Sequence, residues 1–160
     1  MLFLFQSFGQ QTMTEPLEKT ITPEDLEIGI GDWSGSLTYI DYSSNKPYTM
    51  PANLRVEQGK NENQLVLFYT YPNEPKANSK EKISISKNGS VLNKRAVKSI
   101  QRNSDQQVKI TTEHTGKDNN MEALIRNIFI LGENTFIIRK EVRFSAAGEW
   151  LLRNEYNFKR

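Results

Sequence analysis

From Trp33 onward, apolar and polar residues alternate with a period of two, the spacing of strands that bury one face. Trp33, Gly35, Leu37 and Tyr39 fall on one side, and Ser34, Ser36 and Thr38 on the other. Tyr48, Met50, Ala52, Leu54 and Val56 repeat the pattern against Thr49, Pro51, Asn53, Arg55 and Glu57. The alternation predicts further strands over about 64–71, 81–87, 96–103, 106–115, 122–131, 135–144 and 149–159, with a brief extra strand at 90–93. Turn formers separate them: Ser43-Ser44-Asn45, Pro72-Asn73, Asn88-Gly89, Asn103-Ser104-Asp105, Gly132-Glu133-Asn134 and Ala147-Gly148. One helix start stands out, at Ile21-Thr22-Pro23-Glu24-Asp25-Leu26. Thr22 can cap it, Pro23 loses no hydrogen bond at the first position, and Glu24 and Asp25 suit the positive end of the dipole. Gly29 and Gly31 stop it within two turns. Short antiparallel connections without crossover helices predict an all-β fold, an up-and-down barrel of eight to ten strands behind one short helix near 23–28. At 160 residues the chain makes one such domain, over 21–160.

Composition narrows the chemistry. With no cysteine, disulfides, thiol catalysis, Fe–S clusters and Cys zinc sites are excluded, and the single histidine, His114, cannot build a multi-histidine metal site. Twenty-one Lys and Arg against nineteen Asp and Glu give a net charge of +2, too even for a nucleic-acid binder. No stretch approaches the roughly 18 apolar residues of a membrane-spanning helix. Residues 1–20 do not read as core. Met1-Leu2-Phe3-Leu4-Phe5 is followed by Ser7 and Gly9, small residues at −3 and −1 of a cleavage after Gly9. A basic leading region and a full-length apolar stretch are missing, so this is a partial signal-peptide pattern, and 10–20 is a polar lead-in. The expectation is a periplasmic or secreted protein, with a cytoplasmic one as the alternative.

Register arithmetic gives the candidate site. Paired residues of an antiparallel hairpin have a constant sum fixed by the turn. Turns centred on Asn119, Glu133 and Ala147 set Thr112, Arg126, Lys140 and Asn154 side by side on four strands, on the faces that carry Ile110, Ile128, Ile138 and Tyr156. The opposite faces of the last two strands hold Arg139, Glu141, Arg143, Arg153, Glu155 and Lys159, as a solvated surface should. Two inward cations would cost several kcal/mol each in a dry core. They imply a wet cavity that takes an anionic group, pairing with an inward carboxylate such as Asp41, or a register slip that sends one cation outside, since Ile125, Phe129 and Leu131 make the other face of 122–131 apolar too. Tyr39, Tyr48, Tyr69, Tyr71, Phe136 and Tyr156 share the inward faces, and a barrel of this size holds one small ligand unless side chains fill it. His114 falls on the inner parity at a strand end, and the polar loop 72–80 is a lid or a contact surface for a protein partner at the rim.

Gly31-Asp32-Trp33, directly after the short helix and opening the first strand, resembles the G-x-W signature of the lipocalins and the wider calycin group. That resemblance implies a tryptophan at the closed end of the barrel with a basic residue of the last strand across it. Arg153, Lys159 and Arg160 are available, and Arg153 is set beside Gly31 and Trp33 in the signature. The second and third lipocalin motifs are not recognisable, which implies an outlying family. The opening Gly31-Asp32-Trp33-Ser34-Gly35 also resembles nitrobindin-type haem barrels. Their iron-ligating histidine comes late in the chain, whereas His114 lies mid-chain, so no cofactor is expected. Arg126, Lys140 and Tyr156 are similar in kind to the set with which fatty-acid-binding barrels hold a ligand carboxylate. Nucleophile elbows, phosphate loops and dinucleotide fingerprints are missing, and the acids Glu57, Glu141 and Glu155 fall on solvent faces, leaving Asp41 and Glu149 as inward candidates. The expected function is non-catalytic binding of a small hydrophobic or amphiphilic ligand with an anionic head, by Arg126, Lys140, Asn154, Thr112, Tyr156, Tyr39 and Tyr69. The alternatives are an exported interaction domain with a filled barrel, or an enzyme acting on a lipophilic substrate.

Overall fold

A computed structural model describes residues 20–160; the signal-peptide-like pattern lies outside the described residues. The helix start becomes α1, Pro23–Glu27. Its Asp25 carboxylate accepts the Thr22 N–H at 2.8 Å and pairs with Arg102, which fixes the helix to the barrel wall. Just before it, the Ile21 N–H donates to the Gly89 carbonyl at 2.9 Å. Gly89 has a φ of +69°, and a Cβ there would lie 2.1 Å from the Ile21 oxygen, so the turn requires glycine twice over.

The strands are β1 Gly31–Ile40, β2 Pro47–Gln58, β3 Gln64–Thr70, β4 Ser79–Ser84, β5 Val91–Leu92, β6 Arg95–Arg102, β7 Val108–Asp118, β8 Met121–Leu131, β9 Phe136–Arg143 and β10 Leu151–Lys159. Each pairs antiparallel with its chain neighbour, except across β4 and β5, and β1 pairs with β10 from Ser34↔Lys159 to Tyr39↔Asn154. The last seam, from β4 to β5, is held by the single bridge Ile85↔Leu92. The result is the predicted antiparallel barrel of ten strands, closed everywhere but along that seam.

The half of the interior next to α1 is solid. Leu26, Leu54, Leu65, Leu131, Phe136 and Phe158 are all essentially inaccessible. Trp33 lies among them, 2% exposed, its Nε1 donating to the Gly29 carbonyl at 2.9 Å and its ring meeting Phe136 edge-on. The basic residue over its ring is Arg160, 4.2 Å from the centroid, and not Arg153. Arg160 also donates to the carbonyls of Ile28, Ile30 and Glu133, so it closes this end by hydrogen bonds as well as by stacking. Gly31 has a φ of +131°, and a Cβ there would come 2.9 Å from the Arg160 Nη1. The glycine, the tryptophan and the arginine therefore form one unit.

Outside, a ladder of alternating charge crosses five strands. It runs Lys98 (β6), Glu113 (β7), Arg126 (β8), Glu141 and Arg139 (β9), and Glu155 (β10). Trp150 covers it, 3.7 Å from the Arg126 guanidinium, and so faces outward.

Candidate functional site

The inner row of polar side chains exists with one member exchanged. Tyr39 pairs with Asn154, Asn154 with Lys140, Lys140 with Asn127, and Asn127 with Thr112. Asn127 takes the place expected of Arg126. The cause lies in two turns. Asn119 and Asn120 both adopt left-handed φ, 47° and 64°, making a two-residue turn that pairs Asp118 with Met121. A four-residue loop, closed by the Gly132 N–H to the Thr135 carbonyl, pairs Leu131 with Phe136. Each differs by one residue from the turn expected, so β8 is reversed while its neighbours keep their faces. Arg126 points outward, where Glu113 at 2.7 Å, Glu141 and Trp150 satisfy it, and it is no part of an interior site.

Lys140 and Arg153 both reach inward to a carboxylate that the alternation pattern did not reveal. Asp118, its side chain fully buried, accepts from Arg153 Nε at 2.7 Å, Lys140 Nζ at 3.2 Å and the Tyr42 hydroxyl at 2.6 Å. Burial raises the Asp118 pKa, but hydrogen bonds from Tyr42, Arg153 and Lys140 outweigh it and hold the carboxyl below its ordinary 3.8. Arg153 reaches inward because the β9–β10 pairing shifts register between Leu152 and Asn154, a bulge that re-aims its side chain. Asp41, the carboxylate expected inside, instead caps the exposed β1–β2 turn. Hydrogen bonds from the Ser43 hydroxyl and from Ser44 hold its pKa at about 2. The Asp118 cluster ties the β1–β2 turn, β7, β9 and β10 together at the end away from α1. Tyr48, also read as inward, is half exposed at this rim, and Tyr39 packs against it with tilted rings and centroids 5.3 Å apart.

Between this cluster and the solid half lies a chamber. A cavity of about 240 Å³ runs inward from the surface between β4 and β6, lined at its opening by Lys82, Asn93 and Arg95. Its inner walls are Thr112 and Asn127 on one side, Phe129, Ile138, Ile83 and Leu92 on the apolar side, with Glu81 beside the opening. The side-chain amides of Asn127 and Asn154 are half buried and make no hydrogen bond to another described residue. No family model and no curated protein matches the chain. What the site can do is therefore read from its chemistry.

Among the described residues, two fully buried side-chain atoms lack hydrogen-bond partners, Tyr69 Oη and His114 Nδ1. His114, two residues along β7 from Thr112, is held below its ordinary 6.5 by burial, then by the charges of Arg95 and Lys140, so it is neutral at pH 7. Tyr69, 1% exposed, stacks on Tyr156, whose hydroxyl meets that of Tyr71 at 2.7 Å. Burial pushes Tyr69 and Tyr156 up, as does the nearby Glu81 carboxylate, and both stay protonated donors. Of the predicted site residues, the structure brings together Thr112, Lys140, Asn154 and Tyr39 along the row, with Tyr156 and Tyr69 beneath it. The loop before β4 forms a short 3₁₀ turn, Pro75–Ala77, and Asn78 caps the Tyr71 N–H. Among the described residues no group of acids and histidine could hold a metal ion, and no helix is long and apolar enough to cross a membrane.

Proposed function

We propose that the protein binds a small amphiphilic molecule inside the barrel without transforming it. One observation carries this reading: the chamber between the solid half and the Asp118 cluster has one polar wall, Thr112 and the unused amide of Asn127, and one apolar wall. Water alone satisfies such a polar wall, but it gains nothing from Phe129 and Ile138, whereas an amphiphile matches both. The volume limits the occupant. At about 240 Å³ the chamber falls below the 300–1,000 Å³ usual for drug-sized ligands. Its tail is a ring or a short chain, since aromatic side chains fill the space a long acyl chain needs. The ligand's inner polar atoms lie toward Thr112 and Asn127. An anionic head is not demanded by stranded cations, because Asp118 pairs with both Lys140 and Arg153. The polar belt and the binding chamber are thus neighbours, the first structural and the second functional.

An outlying relationship to the lipocalin-like barrels is supported by the packing of Arg160 across Trp33 and fits this function. The partial signal pattern supports an exported protein, which N-terminal sequencing from the native host checks: a start near Gln10 supports export and an intact Met1 opposes it. For binding, native mass spectrometry of protein from its own source should show one bound small molecule per chain. Asn127→Leu should abolish that species without lowering the thermal midpoint. An empty wild-type protein with no saturable uptake of small fluorescent amphiphiles would refute the proposal.

A further inference from the structure

Resting on that reading, we propose that the ligand enters from the side of the barrel, between β4 and β6, and that Arg95 at this opening holds an acidic group on it. The barrel end away from α1 is an unsuitable route. Entry there must part Tyr42 and Arg153 from Asp118, a carboxylate with no access to water. At the side no buried ion pair has to break: the contacts across the gap are neutral, the Ile85↔Leu92 bridge and the Ser84 N–H donating to Asn93 Oδ1 at 2.8 Å. β4 and β5 share one bridge, Ile85↔Leu92, and beyond it no ladder joins β4 to β6. The cavity reaches the surface along this gap.

The opening also has a chemical preference. Arg95 is exposed and has no ion-pair partner among the described residues, unlike the ladder arginines or Arg153. Lys82 stands on the opposite lip, and Lys140 and Arg95 both act electrostatically on His114 within. Against these cations stand Glu81 at the opening and Asp118 at the end of the barrel, the latter already occupied by Lys140 and Arg153. Arg95 is therefore the guanidinium free to take a carboxylate or sulfonate in a bidentate contact. Thr112 and Asn127 lie further in to receive the ligand's other polar atoms, and Ile138 and Phe129 its apolar body.

Two fluorescent probes that share a ring system test this: anionic 1-anilinonaphthalene-8-sulfonate and neutral N-phenyl-1-naphthylamine. Arg95→Gln should weaken the sulfonate about tenfold and leave the neutral probe within about twofold, with Arg95→Lys restoring only part of the loss because it keeps the charge and not the bidentate fork. The protein has no cysteine, so single sites can be labelled cleanly. A bulky maleimide on Lys82→Cys should slow both association and dissociation of the neutral probe about tenfold, with little change in Kd. The same label on Met121→Cys, at the exposed tip beyond Asp118, should leave both rates alone. Equal effects of Arg95→Gln on both probes, or none on either, remove Arg95 from recognition. Slowing by the Met121 label and not the Lys82 label moves entry to the barrel end. If neither probe binds wild type at one per chain, this inference falls together with the binding function.

Discussion

Asp118→Asn tests the central electrostatic claim. The substitution keeps the shape and an acceptor for Tyr42 but removes the charge shared by Arg153 and Lys140. The two cations respond differently. The Lys140 side chain is 30% exposed and can turn toward solvent, whereas Arg153 is 11% exposed and cannot. The loss is therefore that of one buried cation left without its partner, the lower end of the 3–5 kcal/mol range, about 3 kcal/mol. For a domain of this size each kcal/mol lowers the midpoint by about 2–4 °C, so the drop is about 6–12 °C. Calorimetry at pH 7 measures it, beside Lys140→Met and Arg153→Met. Arg153→Met should cost more than Lys140→Met, since in the latter Asp118 keeps its shorter bond and Tyr42. The pH dependence has a fixed sign. Because the folded carboxyl is held below 3.8, its stabilisation is present above that pH and is lost as pH falls through the lowered value. The difference between wild type and Asp118→Asn should accordingly close below pH 3.8. A midpoint within about 2 °C of wild type at pH 7, or a difference that persists in acid, would refute the account.

Three further outcomes are expected. Trp33→Ala removes a fully packed ring beneath Arg160 and should cost about 3–5 kcal/mol, read by denaturant unfolding. Arg126→Met should lower stability by about 1 kcal/mol through the outer ladder and leave probe binding unchanged, where an interior Arg126 would have changed binding. His114 has a folded pKa below 6.5, so wild-type stability should decline as pH falls below 6.5 toward that value. His114→Gln should flatten this slope in midpoint-against-pH scans.

The strands and the barrel were legible because alternation is a local property of the chain, and so was the Gly31–Trp33 corner. The row of inner polar residues was legible in three of its four places, Thr112, Lys140 and Asn154. Arg126 went wrong because a face depends on whether a turn contains an odd or even number of residues. Asn119-Asn120 admits the two-residue form that centring on Asn119 excludes. Asp118 was hidden for a related reason: it lies at a hairpin tip, where sequence suggests solvent, and only the curl of the β7–β8 hairpin brings it against β9 and β10. Arg153 was read as outward because a bulge leaves no mark on alternation over so short a strand. Arg95 and its opening depend on a gap between strands, and a missing pairing has no signature in the chain.

The pairing of β1 with β10 bears on how the chain folds. A barrel closed by its first and last strands cannot close until more than a hundred residues after β1 have been made. On the ribosome β1 therefore waits with one edge already satisfied by β2 and the other open, a site for mispairing with other chains. The first half of that open edge, Gly31-Asp32 and Ser34-Gly35-Ser36, is of low β-propensity, whereas Trp33 and Leu37-Thr38-Tyr39-Ile40 are strand formers and carry the mispairing hazard. Gly35 also lets β10 approach at close range, since a Cβ there would lie 2.0 Å from the Asn157 carbonyl oxygen. Closure is thus the longest-range and slowest contact to form, and in a Trp150→Phe background refolding kinetics should show Trp33 fluorescence reporting that late step rather than the early hairpins.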